Sequence, residues 1–133
     1  MLARDLMRKD VFTVLETDTV EELAEILVRE HIHGAPVLDE TGQLVGVVTQ
    51  QDIFFSSMTL GRDEKRKKQK KLRVKDIMTS PAVSAAEDTE IRNLCRMMHR
   101  LRIHRIPIVS DGRVSGIVSS LDICRAVGRG KAL

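Results

Sequence analysis

The chain has 133 residues, is 42% hydrophobic and 2% aromatic, and carries a net charge of +3. Its two cysteines are too few for a disulfide framework, and no apolar run approaches the roughly 18 residues that a transmembrane helix needs. Residues 1–10 also lack the apolar region of a signal peptide, so we expect a cytoplasmic protein with no membrane partner.

A strand and a helix are predicted first. Residues 11–14 are typical of a short strand, and apolar residues then recur at helical spacing from Val20. Asp18 and Glu21 have the spacing of a capping box, with Asp in place of the usual Ser or Thr. We therefore expect Asp18 to cap this helix.

A hairpin and a second helix are predicted next. Residues 35–38 and 44–49 are apolar runs separated by a turn that contains Gly42, a pattern that favours two paired strands. The second helix is expected to begin near Gln50, and Gly61 is suited to ending it.

A basic segment then separates the two halves of the chain. Residues 62–75 contain nine Lys or Arg and two acidic residues, a local charge of +7, so the remaining residues sum to −4. The segment has no apolar periodicity, and we interpret it as a solvated linker or an exposed helical extension. Basic segments also bind nucleic acid, but no aromatic residues are interleaved here for base stacking. Nucleic acid is therefore the weaker alternative.

The second half repeats the first. His33 matches His104 at an offset of 71 residues, and Asp52 matches Asp122 at an offset of 70. The repeat predicts the same elements again: a strand at 81–84, a helix after Ile91, strands at 106–109 and 114–119, and a helix from near Ser120.

The repeat predicts the fold class. We expect an α/β protein of the α+β type, with two strand–helix–strand–strand–helix repeats packed about an approximate two-fold axis. The expected domains are residues 1–60 and 76–133, joined by the linker 61–75. Free cysteines are among the most buried residue types, so we also expect Cys95 and Cys124 to be buried.

A hydroxyl residue and an aspartate recur three residues apart where each hairpin ends: Thr49 with Asp52, and Ser119 with Asp122. A helix that begins there offers unpaired amides to a phosphate, and the carboxylate can accept two hydrogen bonds from a ribose. Gly46 and Gly116 would let a ligand approach the strand closely. The alternative is that both phrases are only helix caps.

The order of these motifs resembles a tandem pair of cystathionine-β-synthase-type (CBS) domains, called a Bateman module. The resemblance rests on residues 5–7, 33–37 and 46–52 and on their counterparts in the second half. It implies a regulatory module that binds an adenosine-containing ligand in clefts between the repeats and modulates a protein partner. AMP, ADP or ATP is expected before NAD or S-adenosylmethionine, and the module is expected to form a homodimer.

The resemblance also assigns roles by position. It places phosphate at Thr49 and Ser119 and ribose at Asp52 and Asp122. It makes Ala35 and Ile106 apolar neighbours of the base. It places Thr13 and Ser84 in first-strand backbone that meets the adenine edge. It makes His104 and Arg105 a basic pair for phosphate. The first repeat has Gly34 where the second has Arg105, so we expect two unequal clefts.

Other function classes find less support in the sequence. We expect no enzyme, because no phosphate-binding loop, nucleophile elbow or paired nucleophile and base is present. The histidines have no acidic or thiol neighbours at the spacing of a metal site, so no metal is expected. A purely structural dimerisation module remains the main alternative to a ligand-binding module.

Overall fold

Each half of the chain forms one three-stranded sheet flanked by helices. The computed structural model describes residues 1–60 and 71–133, and the elements in these residues follow the predicted order with a four-residue helix added before each repeat. They are α1 Ala3–Leu6, β1 Val14–Leu15, α2 Val20–Arg29, β2 Gly34–Leu38, β3 Leu44–Thr49, α3 Gln50–Leu60, α4 Val74–Ile77, β4 Ala85–Ala86, α5 Ile91–Leu101, β5 Arg105–Ser110, β6 Arg113–Ser119 and α6 Ser120–Gly128. The predicted α+β class is confirmed.

The two sheets have the same topology. β1 pairs in parallel with β2, which pairs antiparallel with β3, and β4, β5 and β6 repeat this order. The register is equivalent as well, since Ala35 lies opposite Val48 and Ile106 lies opposite Val118. Both predicted hairpins are therefore confirmed, and α3 and α6 begin at the predicted residues.

The chain divides into two compact units. The continuous unit is Phe12–Ala82, and the two-segment unit joins Met1–Val11 to Val83–Leu133. These boundaries differ from the expected domains because each four-residue helix packs with the sheet of the other repeat. Residues 61–70 of the expected linker lie outside the described residues, and its last two residues, Val74 and Lys75, belong to α4.

Each unit has its own aliphatic core. In the continuous unit the buried cluster joins Leu23 and Leu27 of α2 to the sheet and to Val74 of α4. In the two-segment unit Leu94 and Met98 of α5 take the same places, and Ala3 of α1 is fully buried with them. The apolar spacing predicted both helix faces correctly.

Several local predictions were wrong. The first strands begin later than expected, at Val14 and Ala85, because their limits are set by pairing with β2 and β5. Thr19, not Asp18, caps α2 by accepting a hydrogen bond from the Glu22 amide at 3.1 Å, while Asp18 accepts one from the Leu15 amide at 2.9 Å.

The two thiols differ in exposure. Cys95 is half-buried, whereas Cys124 is exposed, so the prediction of two buried thiols was wrong for Cys124. Across residues 1–60 and 71–133, the helices are all too short or too polar to traverse a lipid bilayer.

Candidate functional site

The junction between β3 and α3 places Thr49 and Asp52 together. The Thr49 amide donates to Oδ2 of Asp52 at 2.8 Å, and the Thr49 hydroxyl donates to the same oxygen at 3.2 Å. The first amide of the helix, from Gln50, donates to the His33 carbonyl at 2.8 Å. Among the described residues, Oδ1 of the half-buried Asp52 has no hydrogen-bond or ion-pair partner. One carboxylate oxygen thus holds the junction while the other can accept further donors.

The junction between β6 and α6 has the same backbone arrangement. The Ser119 amide donates to Oδ2 of Asp122 at 3.1 Å, and the Asp122 amide donates to the Ser119 hydroxyl at 3.1 Å. The Ser120 amide donates to the His104 carbonyl at 2.8 Å. This is a reciprocal capping box, so the motif does cap a helix here.

The two aspartates differ in their charged neighbours. Oδ1 of Asp122 lies 3.4 Å from Nε of Arg8 and 3.5 Å from a terminal guanidinium nitrogen of Arg125. The Asp122 side chain is only 9% exposed. The repeat counterparts of the two arginines are Thr79 and Phe55, which carry no charge. Both oxygens of Asp122 are therefore engaged, unlike those of Asp52.

Backbone pairing fixes the position of Arg8. Its amide donates to the Ile117 carbonyl at 2.9 Å, and the Ile117 amide donates back to the Arg8 carbonyl at 3.0 Å. Thr79 forms the same reciprocal pair with Val47 in the continuous unit, at 2.9 and 3.0 Å. The scaffold is thus shared, and only the side chain that it carries differs.

The two strand glycines serve the protein's own packing. A Cβ atom on Gly46 would lie 2.7 Å from Sδ of Met78, and one on Gly116 would lie 2.5 Å from Sδ of Met7. The prediction that these glycines admit a ligand is therefore wrong in this structure, because methionines occupy the space in both units. Only glycine allows this contact, since the adjacent carbonyl oxygens cannot move aside.

The remaining predicted residues lie around these junctions but differ in exposure. Ala35 and Ile106 are buried in the two cores, so their side chains offer almost no surface to a base. Thr13 is exposed directly before β1, and Ser84 is half-buried directly before β4. Their assigned ligand contacts remain predictions.

Arg105 and His104 both lie at the second junction. Arg105 opens β5 opposite Ser119, and both basic side chains are exposed. Gly34 takes the equivalent place opposite Thr49, where a Cβ atom would lie 2.7 Å from the Val48 carbonyl oxygen. The first junction therefore has no room for a side chain at this position without a shift of the strand.

A cavity of about 630 Å³ lies beside the first junction. Its lining is mainly apolar, with two histidines and one amide: Ala24, Leu27, Val28, His31, Ile32, His33, Gln50 and Ile53. The described residues contain no group of three or more His, Cys, Asp or Glu that could hold a metal ion.

Comparison with known proteins agrees with this architecture. The sequence model of the family described as CBS domain matches residues 3–58 and 74–129. The chain belongs to the CBS-domain family. A relative from Methanocaldococcus jannaschii named inosine-5'-monophosphate dehydrogenase is 36% identical over 124 residues, 92% of this chain. This chain spans only 23% of that relative's length, so the relative's enzyme name carries no activity over to it.

Two solved CBS structures cover nearly the whole chain. The CBS domain pair of protein MJ0100, in complex with 5'-methylthioadenosine and S-adenosyl-L-methionine, has a TM-score of 0.83 and 32% identity, over 98% of both chains. CBSX2 in complex with AMP has a TM-score of 0.85 and 27% identity, again over 98% of both chains. The resemblance drawn from the sequence motifs is thus confirmed, and these two similar structures each hold adenosine-containing ligands.

Sequence reasoning missed Arg8 and Arg125 as neighbours of the second aspartate. The signal was present in the repeat, because Arg8 has the uncharged counterpart Thr79 in the second copy and Arg125 has the uncharged counterpart Phe55 in the first. Arg8 lies more than a hundred residues from Asp122 in the sequence, and only the fold shows that the two meet.

Proposed function

We propose that this CBS pair is a regulatory module that binds an adenosine-containing ligand and passes its occupancy to a protein partner. AMP, ADP or ATP is the expected ligand, ahead of NAD and S-adenosylmethionine. The two solved relatives that bind AMP or S-adenosylmethionine support the ligand class.

The observation that carries the proposal is the carboxylate of Asp52. It lies in the first turn of α3, half-buried, with Oδ1 open to further donors. Adjacent hydroxyls of a ribose are two such donors, and a charged acceptor strengthens each hydrogen bond. The positive end of the α3 dipole suits a phosphate beside the ribose, and the Thr49 hydroxyl can donate to it by turning away from Asp52. These groups together match a nucleotide better than a nucleobase or a free phosphate.

A thermal-shift panel with AMP, ADP, ATP, NAD, S-adenosylmethionine and GMP tests the proposal. A ligand that binds only the folded state raises the unfolding free energy by about 2.7 kcal/mol at a hundred times its Kd. Adenosine ligands should raise the melting temperature more than GMP does. Equilibrium dialysis in which no adenosine ligand is retained at millimolar concentration would show that the module does not bind this class.

Chromatography of the same samples distinguishes a sensor from an enzyme. The bound ligand should be recovered unchanged after long incubation, because the proposal includes binding and no reaction. Conversion that depends on protein concentration would contradict it.

A second candidate function, assembly of copies of this chain, is supported by the surface of α3. Phe54, Phe55 and Met58 are 61%, 61% and 55% exposed, and residues one turn apart share a helix face. Exposed apolar patches of this kind are typical of association surfaces. The repeat counterparts of these residues on α6 are Cys124, Arg125 and Gly128, which form no such apolar group.

Light scattering tests this second candidate. The parent protein should have the mass of a dimer, and Phe54→Ser should shift it toward the monomer. Leu121→Ser is the matched control, because Leu121 is 58% exposed on α6, and it should leave the mass unchanged. A parent mass of one chain across a wide concentration range would rule out self-assembly.

A further inference from the structure

The two aspartates stand in equivalent backbone positions but differ in electrostatic surroundings. Asp122 is flanked by the guanidinium groups of Arg8 and Arg125, at 3.4 and 3.5 Å from Oδ1. Among the described residues, no cationic side chain forms an ion pair with Asp52, and its Oδ1 is unengaged. The repeat therefore presents one open carboxylate and one that is already paired.

We propose that Arg8 and Arg125 close Asp122 to a ribose, so that the adenosine ligand is bound through Asp52 alone. The chain then takes one ligand, although it carries the Thr/Ser-x-x-Asp phrase twice. This inference rests on the proposed function, since it specifies which aspartate the ligand uses.

The acceptor capacity of Asp122 carries the first step. A ribose diol offers two neutral hydroxyl donors. Oδ2 accepts the junction amide in both repeats, from Thr49 at 2.8 Å and from Ser119 at 3.1 Å, so the difference between the aspartates lies at Oδ1. Oδ1 of Asp122 forms ion pairs with both arginines, and a neutral hydroxyl would have to displace these cations from it. The exchange is therefore unfavourable.

The burial of Asp122 carries the second step. Its side chain is 9% exposed, so removing the arginines' charge from the carboxylate would leave a buried anion without compensation. Asp52 is more accessible, and a diol that binds its Oδ1 displaces no cation of the described residues. The same ligand thus gains hydrogen bonds at the first junction and loses ion pairs at the second.

The positions of the arginines carry the third step. Arg8 is held by its reciprocal backbone pair with Ile117, and Arg125 lies one turn after Asp122 on α6. The equivalent scaffold in the continuous unit carries Thr79 and Phe55. The positive charges beside Asp122 therefore come from the side chains of Arg8 and Arg125 and not from the CBS backbone. Mutation can remove them or transfer them to the other repeat.

Calorimetric titration with adenosine separates the two junctions, because adenosine has the ribose diol and no phosphate. The parent should bind one adenosine per chain. Asp52→Asn should weaken that binding about 10- to 100-fold, because it replaces a charged acceptor of the diol. Asp122→Asn should change the affinity less than about twofold. Two equal sites in the parent, or an equal loss in both variants, would overturn the inference while the proposed function stands. No adenosine binding at all would instead defeat the proposed function.

A repeat-exchange pair tests the arginines directly. Arg8→Thr combined with Arg125→Phe gives the second junction the residues of the first, and a second adenosine should then bind. Thr79→Arg gives the first junction the cation of the second, and adenosine binding should weaken about 10-fold or more. Circular dichroism and melting curves identify any variant that fails to fold, and Arg8→Gln combined with Arg125→Gln is then used in place of the first double change. A folded variant without both arginines that still binds one adenosine overturns their role.

Discussion

The continuous unit and the two-segment unit share a backbone but not a charge distribution. Among the described residues of the first, the Asp52 carboxylate is hydrogen-bonded only to Thr49, and α3 exposes two phenylalanines. In the second, Asp122 meets two arginines, and α6 has Cys124 and Arg125 at the matching positions. A duplicated motif can therefore cap a helix in both copies while the charged neighbours of its aspartate differ between them.

The largest expected difference between the units comes from deleting residues 1–11. Five backbone hydrogen bonds join this segment to residues 83–133, through Ala3, Arg4, Arg8, Ile91 and Ile117. At about 1 kcal/mol each they contribute about 5 kcal/mol, and burial of Ala3 and Met7 adds to this. The deletion should unfold the two-segment unit and leave the continuous unit folded.

Hydrogen exchange measures that outcome unit by unit. Amides of Ile106 and Ile108 should lose protection in the deleted protein, whereas those of Val37 and Val48 should keep it. Equal loss in both units would show that they unfold together, and the comparison of two separate cores would then fail.

Gly116→Ala tests the methionine contact that both units share. The new Cβ atom would lie 2.5 Å from Sδ of Met7 and 2.9 Å from the Arg8 carbonyl oxygen. Overpacking of this kind costs about 1–3 kcal/mol, which chemical denaturation measures. Gly128→Ala is the matched control, because no atom lies within 4 Å of its added Cβ. A stability equal to that of the parent would mean that the methionine and the strand separate without cost.

Arg105→Ala tests whether the basic side chain that only the second repeat carries at this position contributes to ligand binding, since its counterpart in the first repeat is Gly34. Arg105 is exposed at the start of β5, and its planar guanidinium suits a phosphate. An AMP held through Asp52 gains from Arg105 only if its phosphate reaches the guanidinium; in that case Arg105→Ala should weaken AMP about 10- to 100-fold and leave adenosine nearly unchanged. Calorimetric titration of both ligands decides this. An equal loss for both would mean that Arg105 shapes the junction instead of contacting phosphate.

The helix caps differ between the units, with a smaller expected effect. Thr19 caps α2 through the Glu22 amide, whereas its counterpart Glu90 makes no side-chain cap on α5. Thr19→Ala should cost about 1 kcal/mol of unfolding free energy, and Glu90→Thr should add up to about 1 kcal/mol. Denaturant titration measures both changes. A loss in the Glu90→Thr variant would show that Glu90 stabilises α5 in another way.

The smallest expected effect concerns the first hairpin. The hydroxyl of Thr41 and then the Gln43 amide donate to Asp39, and these hydrogen bonds lower the pKa of its carboxyl. A lowered pKa in the folded state stabilises the turn above the ordinary pKa of an aspartate, and this is lost as the pH falls through the folded value. NMR titration should therefore find a pKa below the ordinary one, and Thr41→Val should raise it. An unchanged pKa in that variant would contradict the assigned cause.

The sequence predicts the long elements well because their signals are local. Apolar runs separated by a glycine-containing turn specify both hairpins, and apolar spacing specifies α2 and α5. The two-residue strands β1 and β4 were placed too early, because pairing with a distant strand defines them and propensity does not. The four-residue helices were not predicted for the same reason, since a single turn has little stability without its tertiary contacts.

Prediction of the candidate site from the sequence was limited in the same way, because local signals do not show tertiary contacts. The phrase around Asp52 and Asp122 predicts both caps correctly from local spacing. The phrase cannot show that Asp122 forms an ion pair with Arg8, because Arg8 is brought to Asp122 by the pairing of its backbone with Ile117. Sequence similarity between repeats predicts their shape better than it predicts their ligands.

The division of the two-segment unit has a consequence for the order in which the chain is synthesised. The continuous unit has all its residues once Ala82 has been added, but residues 1–11 must wait for the segment Val83–Leu133. At about 5–20 residues per second, ribosomes need about 3–10 s to make that segment. During this time Ala3, Leu6 and Met7, which later pack in the core, have no partner strand or helix. Residues 1–11 thus form a segment whose apolar side chains stay exposed in the nascent chain, and any substitution that delays folding of the second half prolongs its exposure to chaperones and to aggregation.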